Sequence, residues 1–149
     1  MLKKTKQVRW WIGLSGVVAT LGLALPIQST QASDRESLLK LAIAATKFRS
    51  EGYSCRSRAS GERLNEDDSY TVKNTLYTGN SYAIIGAGDS DVIDLDIELY
   101  DENFNLIDRD TQTDPYPIVK VSPGWSGRFY IRATMYRGYG YSNVMICYK

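Results

Sequence analysis

Between residues 94 and 99 the chain alternates strictly, Asp94, Asp96 and Glu98 against Leu95, Ile97 and Leu99. Successive side chains of an extended strand point to opposite faces, so the segment predicts one buried face and one charged face. Similar short β signals recur through the C-terminal half, and predict strands over 69–77, 81–87, 94–101, 105–109, 116–121, 127–136 and 142–148. Turn-forming clusters separate them: Thr78-Gly79-Asn80, Gly88-Asp89-Ser90-Asp91, Glu102-Asn103-Phe104, Ser122-Pro123-Gly124 and Arg137-Gly138-Tyr139-Gly140. With no helical period between these strands, parallel βαβ units are excluded. The fold class is mainly β, an antiparallel sandwich of about seven strands.

The period changes once. Leu38, Leu41, Ala42, Ala45 and Phe48 recur at helical spacing, widened by Leu39, Ile43 and Ala44. Ser33 and Glu36 have capping-box spacing before this run and Gly52 is a stop after it, so one helix is predicted over 34–50. Its stripe is expected to dock on the sandwich, because so apolar a face invites association when exposed. The stretch 54–68 is polar and without a period, and reads as a loop.

Upstream, Lys3, Lys4, Lys6 and Arg9 precede an apolar run of about 16 residues, Trp10 to Leu25, then Pro26 and a small-residue exit ending at Ala32. This is an export signal, with cleavage expected after Ala32; the alternative is an uncleaved anchor with Trp10 and Trp11 at the membrane interface. The expected organisation is therefore signal peptide 1–32, helix 33–53 packed on the sandwich, and β-sandwich 54–149. Losing four Lys/Arg and no acid takes the formal charge from +1 to −3. That balance disfavours nucleic acid as a partner, and signal cleavage leaves no membrane segment. The two cysteines, Cys55 and Cys147, both lie in the exported part and read as one disulfide in an oxidising compartment, periplasmic or secreted. Closing a loop of about 92 residues is worth on the order of 4–5 kcal/mol by chain entropy.

Two segments together resemble a known family. The Ser-Asp-x-x-Asp-Leu-Asp-x-x-Leu-Tyr-Asp pattern from Ser90 and the Pro-Gly-Trp-Ser-Gly-Arg-Phe-Tyr-Ile-Arg-Ala segment from Pro123 are similar to the bacterial pre-peptidase C-terminal domains. The resemblance covers 69–149. It implies a small jelly-roll-like sandwich, exported, with an accessory or binding role; some relatives bind calcium and fibrous substrates. The chain departs from the family pattern at Phe104, where the hairpin usually carries glycine.

The chain contains no histidine. Ser-His and Cys-His nucleophiles and His-based zinc sites are thereby absent, and no catalytic residue is assigned. A carboxylate-based hydrolase is the distant alternative. Asp89, Asp91, Asp94 and Asp96 are candidate calcium ligands, with Asp110 and Asp114 on the next connection, although the spacing is not that of an EF-hand. No other cofactor is expected. The competing reading is turn capping by the loop aspartates and, for Asp94, Asp96 and Glu98, pairing with Arg128 and Arg132; pairing is the expectation. Arg128, Tyr130, Arg132 and Tyr136 share one strand face and form a candidate binding face for a glycan, peptide or protein. The function expected is a non-catalytic binding or accessory module, or else a purely structural or secretion-assisting protein.

Overall fold

The computed structural model describes residues 33–55 and 60–149; the signal segment and its cleavage site lie outside the described residues. Helix α1 (Asp34–Ser50) comes first, followed by nine strands: β1 (Ser54–Cys55), β2 (Ser60–Leu64), β3 (Ser69–Leu76), β4 (Tyr82–Gly88), β5 (Val92–Tyr100), β6 (Leu106–Asp110), β7 (Ile118–Val121), β8 (Gly127–Gly138) and β9 (Gly140–Tyr148). They form two antiparallel sheets. One runs β1-β9-β4-β7, with β2 also pairing with β9 beyond β1; the other runs β3-β8-β5-β6. The sheets close over Leu95, Ile97, Leu99, Phe129, Ile131 and Met135 from one side and Ile84, Val119 and Val144 from the other.

Helix α1 makes a third layer on the outside of the five-stranded sheet. The Ser33 hydroxyl accepts from the Glu36 amide at 3.3 Å. The reciprocal half of the capping box does not form, because the Glu36 carboxylate instead pairs with Lys40 at 2.9 Å and accepts from the Ser90 hydroxyl at 3.2 Å. Gly52, at φ +89°, ends the helix in the left-handed region. Leu41, Ala45 and Phe48 are buried against Ala83, Ile85, Ala87, Met145 and Cys147. The buried stripe also includes Ser37, whereas Ala42 is exposed and Leu38 only half-buried. The expected stripe was therefore rotated too far. Covered on both faces, β4 is buried at every residue, which explains its unbroken run of apolar and small residues.

Three expectations are corrected. The polar stretch 54–68 contains β1 and β2 and is not a loop throughout, so nine strands form among the described residues where about seven are expected. Those strands lack a period because β1 has two residues and β2 is a sheet-edge strand burying only Leu64. Cys55 sits directly opposite Cys147 and is bonded to it, S–S 2.02 Å. The strand expected from residue 116 pairs regularly only from Ile118, since Pro115 and Pro117 accept from Gly88 and Gly86 but have no amide to donate. Finally, the turn expected at 137–140 shrinks to Tyr139 alone, where the chain passes from one sheet to the other. Gly138 (φ +98°) and Gly140 (φ +142°) make that corner.

Leu41→Ala should lower unfolding free energy by about 2–5 kcal/mol, as truncation of a fully buried leucine does. Ile43→Ala, on the outward helix face, should change it by less than about 0.5 kcal/mol. Urea denaturation of the two variants checks this; equal effects would contradict the packing described.

Candidate functional site

The candidate site is the outer face of the four-stranded sheet, whose rows follow from strand register. Residues directly opposite in antiparallel strands point the same way. Lys73, Tyr130, Tyr100 and Leu106 make one row across β3, β8, β5 and β6; Thr71, Arg132, Glu98 and Arg109 make the next. Thr75 and Arg128 lie on one side of these rows, and Thr134 with Asp96 on the other.

At the centre, Arg132 meets the Glu98 carboxylate with Nη2 at 2.6 Å and Nε at 2.9 Å. The same Glu98 oxygen accepts from the Tyr100 hydroxyl at 2.9 Å, and the Arg132 guanidinium lies 5.6 Å from the Tyr100 ring centroid. Burial and the bond to Glu98 raise the Tyr100 phenol above its ordinary pKa. One expected pair is therefore present. Arg128 pairs with none of the three acids: it stands four residues from Arg132 and faces Thr75, beyond the reach of Asp94 and Asp96.

Beside this network the β5–β6 hairpin carries a ring. Asp101 organises the turn: one carboxylate oxygen accepts the Asn103 and Asn105 amides, each at 2.8 Å, and the other accepts from the Asn105 side chain at 2.9 Å. Those bonds, Asn105 foremost, hold the Asp101 carboxyl below its usual pKa. Phe104 follows with φ +60°, a left-handed backbone uncommon for a bulky side chain. Its ring is 65% exposed and stacks on Tyr130, centroids 4.5 Å apart and planes 18° from parallel. Tyr136 is also exposed, but lies at a bulge roughly 20 Å along β8 from Tyr130. Arg128, Tyr130 and Arg132 are thus brought together, and Tyr136 stands apart.

The four candidate calcium ligands are dispersed among different tasks. Asp89 is buried, with one oxygen accepting the Asp91 amide at 3.2 Å and the other the Tyr141 amide at 2.8 Å. Asp91 is exposed. Asp94 is buried opposite Arg137, and its Oδ1 has no hydrogen-bond partner. Asp96 is half-buried, opposite Thr134. Among the described residues, no group of three or more Cys, Asp or Glu is arranged to hold a metal ion. Burial, then the charges of Asp94, Glu98 and Asp110, push the Asp96 pKa up to about 6, with Arg109 opposing.

Phe104, Tyr100 and Lys73 belong to this face but were not among the site residues read from the sequence. The signal for Phe104 was its departure from the hairpin glycine; Tyr100 and Lys73 needed the register. No family model matches the chain, and no curated protein matches it either.

A carboxyl whose pKa is higher folded than unfolded costs stability when ionised. That cost is present above about pH 6 and disappears as pH falls towards the ordinary aspartate value. Asp96→Asn should therefore stabilise the protein at pH 7.5 by about 1 kcal/mol, allowing for solvent screening, with the gain vanishing near pH 4. Chemical denaturation across that pH range measures it; a gain independent of pH would show that the charge is not the cause.

Proposed function

We propose that this chain is an exported, non-catalytic β-sandwich module that binds a partner through the outer face of its four-stranded sheet, in the periplasm or outside the cell. The observation that carries the reading is Phe104. A hairpin residue held in the left-handed region is most cheaply glycine or asparagine, yet here it is a large ring displayed mostly to solvent. Stacking on Tyr130 covers only one side of the ring, and a contact surface gives a use for the side left open. Exposed aromatic and arginine side chains dominate binding hot spots, and Tyr130, Tyr100 and Arg132 sit beside the ring.

Export rests on the signal-like segment, and the paired cysteines agree with an oxidising compartment. The resemblance to pre-peptidase C-terminal domains supports the same accessory role. A carboxylate hydrolase fits less well, because Asp94, Asp96 and Glu98 lie along one strand face and not on two sides of a cleft. The reading includes no resident metal, since Asp89, Asp91, Asp94 and Asp96 are not gathered into one ligand set among the described residues.

Glycan and peptide arrays probed with the wild type and Tyr130→Ala test the proposal. At least one ligand class should bind the wild type and bind the variant tenfold or more weakly, with melting temperatures within a few degrees. Equal binding by both proteins would place the contact surface elsewhere.

A further inference from the structure

The outer face is chemically polar along its length. Around the aromatic group stand Lys73, Arg109 and Arg128, all exposed, and none makes a salt bridge among the described residues. Lys73 and Arg109 flank the tyrosine and arginine rows on opposite edges, and Arg128 lies about 7 Å along β8 from Tyr130. Further along β5, the face changes sign: Asp96 is half-buried among other carboxylates, while Asp94 is buried and out of a ligand's reach.

A ligand matched to this surface needs three properties. It carries anions for Arg128 and Lys73, a flat C–H face for the exposed side of Phe104, and hydroxyl donors for the Asp96 and Glu98 oxygens. A deoxyribonucleic acid or an acidic peptide satisfies the first but brings no row of hydroxyl donors for the Asp96 and Glu98 oxygens. A sugar chain bearing anionic groups satisfies all three. Resting on the binding role argued above, the geometry points to an anionic glycan, carboxylated or sulfated, lying across β3, β8 and β5 with one sugar ring on Phe104. Arg128 and Lys73 take its anionic groups, and guanidinium forks suit carboxylate and sulfate alike. The pitch between strands, about 4.8 Å, lets neighbouring strands meet successive parts of an extended chain.

Calorimetric titration with polygalacturonate and with dextran sulfate tests this, in chelator-treated buffer. Uncharged dextran, polyglutamate and a thymidine oligonucleotide serve as controls. Binding to polygalacturonate or dextran sulfate is expected, and which of the two binds more tightly separates a uronate from a sulfate ligand. It should weaken as sodium chloride is raised and exceed binding to every control at least tenfold. Phe104→Gly should weaken it at least tenfold while keeping the melting temperature, since glycine suits that backbone. Arg128→Gln should weaken it severalfold. Tight binding of dextran that is lost in Phe104→Gly would overturn the anionic specificity while leaving the binding face in place. Polyglutamate or the oligonucleotide binding as well as the charged glycans would overturn the glycan assignment. Binding of no charged glycan, or undiminished binding by Phe104→Gly, would overturn the inference outright.

Discussion

The sandwich depends on a corner clamped by Asp89. Strands β8 and β9 are consecutive in the chain and belong to different sheets, joined by Tyr139 alone. The buried Asp89 carboxylate receives the amides of Asp91 and Tyr141, tying the β4–β5 turn to the first residues of β9. Around it the backbone is shaped to fit. A Cβ on Gly140 would lie 2.2 Å from Asp89 Oδ1, and one on Gly138 would lie 2.5 Å from the Asp91 carbonyl oxygen. A buried carboxylate is costly unless its oxygens are occupied, and here two backbone donors occupy them.

The other layers follow from that corner. Once β9 is placed beside β4, its far edge is covered at one end by β1, fixed through the Cys55–Cys147 bond, and at the other by β2. The outer face of this sheet then carries the small side chains Ala83 and Ala87, which let Leu41, Ala45 and Phe48 approach closely. Buried polar contacts orient the helix as well as apolar ones: Asn143 donates to the Asp34 carboxylate at 2.9 Å and to the Ser37 hydroxyl. The helix thus covers one sheet, and among the described residues no element covers the outer face of the other. That asymmetry is what leaves the adjacent rows holding Tyr130, Tyr100 and Arg132 uncovered by the helix.

What was legible in the sequence was whatever depends on period and local turn chemistry. Leu95, Ile97 and Leu99 point inward because side-chain alternation needs no long-range information, and local turn clusters bound the other regular strands close to their expected places. The pairing of Arg132 with Glu98 was readable as charge complementarity; its partner assignment for Arg128 failed because that depends on register, which a single strand does not contain. β1 and β2 were hidden for a related reason: their stabilisation comes from β9 and the disulfide, not from their own side chains. The role of Asp89 was equally invisible, since an aspartate in a Gly-Asp-Ser-Asp turn reads alike as a metal ligand or a cap until the Tyr141 amide, 52 residues away, is seen to reach it.

The most direct test of this account is the unfolding free energy of Asp89→Asn and Asp89→Ala by urea denaturation. An asparagine amide would set an N–H group against one of the two backbone donors, so the conservative change is expected to be nearly as harmful as truncation. Both variants should lose more than about 2 kcal/mol, as expected when charge-assisted hydrogen bonds are removed and buried donors are left unpaired. Values within about 0.5 kcal/mol of the wild type for both, the range of ordinary surface substitutions, would contradict the claim that this carboxylate clamps the corner between the β4–β5 turn and β9.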